Sequence, residues 1–233
     1  MKDISRDHML KSLNKDVRFD GREPLELRKP FEIECDVSVT AEGSAKVIIG
    51  RTVVIAGVKL DLGTPFPDSP KQGNLMVNAE LLPLSSEEYE PGPPTIKGIE
   101  VGRVIDRALR EGKAIDFSKL CVVEGEKVWN VMVDVVPIND DGNLIDAGNI
   151  AALAALVTAK KPLVLEDGSI DYSQKTDEGL PLKSMPISVT VYKIGDKFIV
   201  DPTAEEEECY DCLLYTSDAA DELDGVDLGG RRI

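Results

Sequence analysis

The chain has 233 residues, of which 42% are hydrophobic and 30% are charged, and its formal net charge is −16. These values are typical of a globular protein with a buried core and exclude wholesale disorder. No apolar run approaches the roughly 18 residues that cross a bilayer, and the N-terminus lacks the apolar core of a signal peptide, so we expect a cytoplasmic protein without a membrane partner. The acidity disfavours a generic basic nucleic-acid binder and leaves only a local basic patch as a way to contact a polyanion.

The first half of the chain predicts one helix followed by strands. An amphipathic helix is expected from about Asp3 to Lys15. The unbroken alternation from Phe31 to Val39 predicts a half-buried strand. Turn residues separate the next strands and indicate an antiparallel meander. These strands are expected at Ser44–Ile49, Thr52–Leu60 and Asn74–Pro83.

The second half predicts two helices set among further strands. The helices are expected at Thr95–Glu111 and at Asp146–Lys161, the latter with an apolar stripe of Ile150, Leu153, Ala154 and Val157. Strands are expected at Leu120–Val123 and Lys127–Val136, with Trp129 in the core, then a polar loop at Glu166–Lys183 and a hairpin of Ile187–Ile194 with Lys197–Val200. This order predicts an α+β domain whose helices pack on a largely antiparallel sheet.

Three arginines share one face of the helix predicted at Thr95–Glu111. Arg103, Arg107 and Arg110 have i, i+4, i+7 spacing and lie opposite the apolar stripe of that helix. Arginine suits phosphodiesters because its planar fork makes two parallel charge-assisted hydrogen bonds. The alternative is an ordinary solvated face on which Asp106 and Glu100 neutralise the arginines.

Two acidic stretches are weaker candidates. Asp146–Asn149 opens the second predicted helix, where free backbone N–H groups can bind an anion, although an ordinary helix cap is the favoured interpretation. Asp201 followed by Glu205–Glu208 could hold Mg²⁺ or act as a general acid, but an acidic surface turn is favoured. No nucleotide-binding, hydrolase or zinc-protease motif occurs, and we predict no metal site.

The four cysteines offer a competing hypothesis. Cys35 and Cys121 lie in apolar runs and are predicted to be buried thiols. Cys209 and Cys212 form a C-x-x-C pair, which is typical of a redox site or half a zinc site. A zinc site needs four ligands, and the only histidine, His8, is distant in sequence. The redox or zinc interpretation is therefore disfavoured but stays open.

The last segment, Cys212–Ile233, has no helix or strand periodicity. Its CLLYTSDAADE and VDLGGRRI stretches can be encoded by the two arms of a transposase-type sequencing-library adapter. We therefore predict a domain over residues 1–211, cut short, and a translated adapter over residues 212–233. We then expect exposed apolar surface around Ile187, Val189 and Val191. The alternative is a genuine acidic tail.

Four long motifs identify a family. They occur in the order RFDGREPLELRKP, GNLMVNAELLPLSSEEYEPGPP, VGRVIDRALREGKAIDFSKL and VWNVMVDVVPINDDGNLIDAGNIAALAAL. Over about Met1 to Tyr210 the chain resembles the RNase PH superfamily, and within it the non-catalytic RNase PH-like subunits of the archaeal exosome.

The resemblance implies a fold and an assembly. The fold is a two-lobed α+β domain of βαβα-like halves, here incomplete at the C-terminus. The assembly is a hexameric ring in which three copies alternate with three copies of a catalytic RNase PH-like paralogue, together with RNA-binding cap subunits. Such rings degrade single-stranded RNA from the 3′ end with inorganic phosphate as nucleophile. The resemblance implies no cofactor on this chain, with phosphate, and Mg²⁺ as a further candidate, at the partner's active site.

The resemblance also implies that no catalytic residue lies on this chain. Catalytic members carry Thr-Arg or Ser-Arg after the D-[AG]-G motif, where this chain has Asn149 and Ile150. The phosphate clamp is then missing, and only the amides of Gly148 and Asn149 remain. In the late L-D-L-x-x-x-E-D motif, Asp201 is kept and Glu207 replaces the last aspartate, while Pro202 alters the strand.

RNA binding is the role that the resemblance leaves to this chain. Arg103 and Arg107 match an arginine pair that positions RNA beside the partner's active site. Arg110 is added from its position on the helix. The alternative is that the chain is itself a phosphorolytic exoribonuclease.

Overall fold

The computed structural model describes residues 2–165, 169–217 and 225–226. In chain order its elements are α1 (Lys2–Leu13), β1 (Phe31–Cys35), β2 (Gly43–Ile49), β3 (Thr52–Gly63), β4 (Asn74–Ala79), α2 (Ile96–Glu111), a 3₁₀ turn (Phe117–Leu120), β5 (Cys121–Val123), β6 (Lys127–Asn139), α3 (Leu144–Thr158), β7 (Lys160–Val164), β8 (Ile170–Gly179), β9 (Ser188–Ile194), β10 (Lys197–Val200), α4 (Ala204–Glu207), β11 (Cys212–Ser217) and β12 (Gly225–Val226). The α+β class is confirmed.

The larger sheet has the strand order β1-β2-β3-β6-β4, with β5 also paired to β6. Its register places Ala45 opposite Ala56, Ala56 opposite Val135 and Ala79 next to Val135. The pairs β1–β2, β2–β3 and β3–β6 are antiparallel as expected, but β4 runs parallel to β6. The predicted meander is wrong at β4 because the chain crosses over through α2 before it returns as β6.

The second sheet has the order β10-β9-β11-β12, and β7 pairs with β8 as a separate hairpin. The hairpin predicted for β9 and β10 is confirmed, with its turn at Gly195. The polar loop predicted at Glu166–Lys183 is wrong, because Ile170–Gly179 is a strand. Most of its side chains are exposed, so the sequence carries no apolar alternation there.

Helix α3 lies between the two sheets, packing on β2 and β3 on one side and on β9 on the other, while α2 packs on β4 and α3. Of the predicted apolar stripe, Leu153 is buried and Ile150 and Ala154 pack against the core, but Val157 is 48% exposed. The stripe also missed Ala151, Ala152 and Ala155, which are fully buried. A helix covered on several sides has no single apolar stripe. Its predicted bounds are also shifted, since α3 begins at Leu144 and β7 begins at Lys160.

The edge strand β1 is shorter and more exposed than its alternation predicts. It ends at Cys35, all five residues are exposed, and the chain turns at Asp36 with φ 57°. The prediction of buried thiols is wrong for Cys35, which is exposed, and for Cys121, which is half-buried. Both lie on short strands at the margin of the sheet, where neighbouring elements cover little of them. Trp129 is 5% exposed, which confirms its place in the core.

The segment predicted to be an adapter begins with a strand. Cys212–Ser217 pairs with β9 in antiparallel register, although the sequence shows no strand periodicity there. Backbone hydrogen bonding to β9 accounts for this strand whatever its side chains are, so the assignment of residues 212–233 to an adapter stays a prediction. Residues 218–224 and 227–233 lie outside the described part of the chain. Of the three residues at which apolar surface is expected, Ile187 and Val189 are 54% and 47% exposed, whereas Val191 is half-buried.

Among the described residues, no helix combines the length and the apolar character that crossing a membrane requires.

Candidate functional site

The three predicted arginines lie together on α2. Thr95 caps the helix by accepting a hydrogen bond from the Gly98 amide at 3.1 Å. The side of α2 that faces the protein is buried, and Arg103, Arg107 and Arg110 are exposed on the opposite side. The buried residues are Gly98, Val101, Gly102, Val104, Ile105, Ala108 and Leu109. The predicted helix and its arginine face are confirmed, while the role of that face stays a prediction.

The three guanidinium groups differ in how strongly they are held. Arg110 donates to both carboxylate oxygens of Asp106, at 2.8 and 3.1 Å, and to the Leu75 carbonyl at 2.9 Å. Arg107 donates from Nε to Glu111 at 3.0 Å. Arg103 has no hydrogen bond or ion pair to any residue that the structure describes. Arg103 is therefore the most available of the three to a ligand.

Two glycines let α2 lie directly on β4. A Cβ added at Gly98 or at Gly102 would lie 3.2 Å from the backbone of Ala79, closer than an ordinary contact. The resulting groove between α2, β4 and the loop Pro91–Pro94 has a volume of about 610 Å³, and Arg103 lines it. This packing fixes the direction in which the arginine face points.

The start of α3 differs from the predicted anion site. Asn143 precedes the helix in a left-handed conformation with φ 59°, and the Ala147 amide donates to its carbonyl at 3.2 Å. Because helical hydrogen bonding has begun at Ala147, the amides of Gly148 and Asn149 are used within the helix. The expectation that these two amides remain available is wrong. Gly148 serves packing instead, since a Cβ there would lie 2.8 Å from Ile105 Cδ1.

Two polar side chains of α3 bind β9 rather than facing a ligand. Asn149 is fully buried, and its Oδ1 accepts a hydrogen bond from the Ser188 amide at 3.1 Å. Asp146 accepts from the Thr190 amide at 3.1 Å and from the Thr190 hydroxyl at 2.7 Å. Burial raises the pKa of Asp146 to about 6. Both side chains thus join α3 to the second sheet.

The surface turn that the sequence favours for the late acidic segment is wrong for Asp201 and Glu206, which are fully buried, whereas Glu205 and Glu208 are exposed. Asp201 accepts hydrogen bonds from the Arg28 amide at 2.7 Å, from Arg28 Nη2 at 2.8 Å and from Asn143 at 3.0 Å. Glu206 accepts from Arg18 Nε at 3.0 Å. Burial alone would raise the pKa of Asp201, but the hydrogen bonds from Arg28 outweigh it and lower that pKa.

Glu207 ends this segment and is also held by the protein. Its Oε1 accepts from the Asn143 amide at 2.7 Å and from the Tyr192 hydroxyl at 2.9 Å, and burial raises its pKa. Within the described residues, no group of histidine, cysteine, aspartate or glutamate side chains has the arrangement of a metal site.

The N-terminal motif RFDGREPLELRKP supplies partners that sequence patterns did not reveal. Arg18 and Arg28 are 2% and 6% exposed and bind carboxylates more than 170 residues away along the chain. The only signal in the sequence is the number of arginines in this motif, because their partners are too distant for spacing to reveal them.

The two thiols of the C-x-x-C pair differ in burial, since Cys209 is buried and Cys212 is half-buried. Cys209 and Cys212 are both free thiols. Cys209 is 2% exposed, and burial raises its pKa, which lowers the thiolate fraction that redox or metal chemistry needs.

Residues 27–162 match domain 1 of the 3′ exoribonuclease family, RNase PH, and residues 184–215 match domain 2. The chain belongs to the 3′ exoribonuclease family. This confirms the resemblance inferred from the four motifs.

Members of this family from archaea are similar to the chain over most of its length. The exosome complex component Rrp42 of Archaeoglobus fulgidus is 46% identical over 229 residues, covering 98% of this chain and 86% of that protein. Rrp42 of Methanosarcina acetivorans is 44% identical over 220 residues, covering 94% of this chain and 79% of that protein.

Solved structures of the family share the fold. A structure of the A. fulgidus exosome with RNA bound to the active site has a TM-score of 0.86 and 45% identity, covering all of this chain and 89% of that one. An archaeal exosome core has a TM-score of 0.80 and 41% identity, with coverages of 100% and 87%. Rice Rrp46, at 22% identity and a TM-score of 0.63, shows the fold alone.

Proposed function

We propose that this chain is the non-catalytic, RNA-positioning subunit of an archaeal exosome core, a ring that degrades RNA from the 3′ end by phosphorolysis. The similarity to archaeal Rrp42 over 98% of the chain supports membership of such a complex. The observation that carries the RNA role is the exposed arginine face of α2 in a protein whose net charge is −16.

The chain alone is expected to be inactive because it lacks positive charge at the position where phosphate would react. Phosphorolysis brings two anions together, inorganic phosphate and a phosphodiester, and therefore needs fixed positive charge at the reacting atoms. The residues aligned with the phosphate clamp, Asn149 and Ile150, carry none, and Asn149 is bound to the Ser188 amide. Glu207, aligned with the last catalytic aspartate, is occupied by the Asn143 amide and Tyr192.

Arg103 and Arg107 would hold RNA phosphates. They lie four residues apart, about 6 Å along the helix axis, and each can donate two hydrogen bonds to a phosphate. The exposed pair of Arg107 with Glu111 contributes about 0.5 kcal/mol, so RNA can displace it. Arg110 is a weaker third contact because Asp106 and the Leu75 carbonyl already hold it. Phosphate contacts of this kind fix the register of the RNA.

The proposed reaction takes place on a catalytic paralogue that alternates with this chain, three plus three, in a cytoplasmic ring carrying RNA-binding cap subunits. There, an oxygen of inorganic phosphate attacks the phosphorus of the last RNA linkage. The bond to the 3′ oxygen of the preceding nucleotide breaks, and a nucleoside diphosphate leaves. The paralogue would hold the phosphate, and Mg²⁺ if it takes part.

The test is reconstitution with the other subunits of the A. fulgidus exosome. We expect the chain alone to be inactive and the mixture to degrade RNA in a phosphate-dependent manner. Arg103→Glu with Arg107→Glu should abolish the gain. RNA binding by the mixture can be followed by fluorescence anisotropy. The negative slope of log K against log salt should become shallower by about 1.4 in the variant, because each single-strand phosphate that is no longer bound accounts for about 0.7.

The matched control is Lys15→Glu with Lys127→Glu, which makes the same change in net charge at two exposed lysines outside the arginine face. Its effect on degradation and on the salt slope should be small. Equal effects of the two variants would refute the positioning role. Phosphate-dependent degradation by the chain alone would instead support the alternative, that it is itself a phosphorolytic exoribonuclease.

A further inference from the structure

The larger sheet ends at β1, and one row of backbone groups on this edge strand has no partner. At one end of the ladder between β1 and β2, the Asp36 amide donates to the Ser44 carbonyl at 2.7 Å. Because hydrogen-bonded pairs alternate along an antiparallel ladder, every second residue of β1 counted from Asp36 faces β2. The others, Phe31, Ile33 and Cys35, point their amides and carbonyls away from the sheet. No residue in the described ranges bonds to these groups.

The side chains of β1 extend the apolar face of the sheet beyond the part that the protein covers. Phe31 lies opposite Ile49 and Ile33 lies opposite Val47, and directly opposite residues of two strands share a face. Ile49 and Val47 are buried, at 2% and 0% exposed, whereas Phe31 and Ile33 are each 47% exposed. The buried face of the sheet therefore continues onto β1 without a cover.

Helix α3 leaves apolar surface open toward the same edge. Gly148 of α3 faces Ile105 of α2, and α2 packs on β4, at the opposite end of the sheet from β1. At about 100° per residue, Val157 lies half a turn around the helix from Gly148, on the side away from α2. Val157 is 48% exposed, and α3 also contacts β1. A further strand beside β1 would therefore lie under α3 and cover apolar side chains from both elements.

The other face of β1 is acidic and limits what can occupy the edge. Glu32 and Glu34 lie there and, with Ile33, Lys46 and Ile48, line a groove of about 490 Å³. Lys46 pairs with Glu34, whereas Glu32 forms no ion pair within the described part of the chain. These carboxylates disfavour RNA. They also disfavour a second copy, because an antiparallel pair of two copies centred on Ile33 would place Glu32 of each copy opposite Glu34 of the other.

We propose that β1 is a docking edge, to which an extended segment of another protein chain adds as a further antiparallel strand. Backbone groups of that segment would bond to the free amides and carbonyls of Phe31, Ile33 and Cys35. Its side chains would alternate, with aliphatic residues covering Phe31 and Ile33 and basic residues facing Glu32. The arginine face of α2 lies near β4, at the other end of the sheet, so this proposal and the proposed RNA role can fail separately.

The test uses a fluorescently labelled nine-residue peptide of alternating lysine and valine, with its binding to the full chain followed by anisotropy. In an antiparallel addition the residue opposite Ile33 shares its face and turns its own backbone toward β1. The valine amides of the peptide should therefore bond to β1, while the lysine amides face solvent. Methylating the valine amides should abolish binding, and methylating the lysine amides should leave the affinity within about twofold. Equal affinities of the two methylated peptides would overturn the proposal.

A protein variant tests the apolar part of the edge. Phe31→Ser with Ile33→Ser should weaken binding of the unmethylated peptide by about 30-fold, because each side chain loses about half the value of full burial. The control is Phe66→Ser with Leu84→Ser, which removes an aromatic and an aliphatic side chain, 58% and 72% exposed, outside β1. Its affinity should change by less than about twofold.

Equal losses in the two variants would show that the peptide binds exposed apolar surface in general and would overturn the proposal. A dimer of the unmodified chain in sedimentation, dissociated by Phe31→Ser with Ile33→Ser, would also overturn it, because the edge would then pair with a second copy. Urea unfolding of each variant checks that it is folded. The two methylated peptides are tested on the unmodified chain, so the proposal stays falsifiable even where a variant does not fold.

Discussion

Replacing Glu206 by glutamine removes the counter-charge of a guanidinium that solvent does not reach. The side chains of Arg18 and Glu206 are both 0% exposed, and Arg18 Nε donates to Glu206 Oε1 at 3.0 Å. Arg18 Nη2 makes a second contact, to Glu206 Oε2. Glutamine has nearly the same size but only one acceptor oxygen. In the position of Oε2 that oxygen can still accept from Arg18 Nη2 and from the Thr203 amide, but the glutamine NH₂ group then faces Arg18 Nε, which loses its acceptor.

The expected loss is large because the arginine stays charged and buried. Breaking a buried ion pair by removing one partner costs about 3–5 kcal/mol. Arg18 keeps its hydrogen bonds to the carbonyls of Val200 and Asp201, at 2.7 and 2.9 Å, so we expect the lower end, about 3 kcal/mol. That is a large part of the about 5–15 kcal/mol that stabilises a typical domain. With a urea m-value of about 2 kcal/mol/M, the unfolding midpoint should fall by about 1.5 M.

Urea unfolding can be followed through the fluorescence of Trp129, the only tryptophan of the chain, which is 5% exposed in the core. Glu111→Gln is the matched control, because Glu111 pairs with Arg107 on the surface, where both side chains are more than 40% exposed. An exposed pair contributes only about 0.5 kcal/mol. A midpoint shift for Glu206→Gln that is no larger than the control shift would refute the argument that breaking the buried pair of Arg18 and Glu206 strongly destabilises the protein.

Three further changes test other parts of the structure. Burial raises the pKa of Asp146 from 3.8 to about 6, so the folded chain binds a proton more tightly than the unfolded chain. The free energy of unfolding should therefore fall as pH rises between these two values. Asp146→Asn should reduce this pH dependence, as measured by urea titration at each pH. Gly148→Ala places a methyl group 2.8 Å from Ile105 Cδ1 and 3.3 Å from Val135 Cγ1. The overpacking cost of about 1–3 kcal/mol is partly offset by the about 1 kcal/mol that alanine gains over glycine inside a helix, so the free energy of unfolding should fall by about 1 kcal/mol. A thiol reagent should modify exposed Cys35 in the native protein but buried Cys209 only on unfolding, as peptide mass spectrometry would detect.

Local patterns predicted most of the elements of this fold. The helix at Thr95–Glu111 and the strands around Ser44–Ile49 and Lys127–Val136 were predicted to within a few residues, because each has one side that is more buried than the other. The failures share a cause. Helix α3 is covered on several sides and β8 on few, so neither shows the alternation of burial on which periodicity depends.

The parallel pairing of β4 was missed for a different reason. Strand direction depends on the route of the connection between two strands, and Asn74–Ala79 carries no local sign that the chain returns through α2 before it reaches β6. The motifs that identified the family predicted its two-lobed α+β fold, which the periodicity of this segment does not indicate.

The candidate site was predictable to the extent that its residues lie on one element. Helical spacing alone placed Arg103, Arg107 and Arg110 on a common face, as the structure has them. Of the acidic partners that the sequence offered, Asp106 pairs with Arg110, four residues away. Glu111, which pairs with Arg107, was not among them. Glu100, three residues from Arg103, binds none of them among the described residues.

Burial separates two kinds of arginine that look alike in the sequence. Arg18 and Arg28 lie close to acidic residues along the chain, as Arg103 and Arg107 do. The first two are buried, and each is bound to a buried carboxylate from the late acidic segment. These ion pairs join the N-terminal motif to that segment. The second two are exposed on α2. In a chain of net charge −16, the exposed guanidinium groups of α2 therefore place positive charge at the surface, where an external anion can meet it.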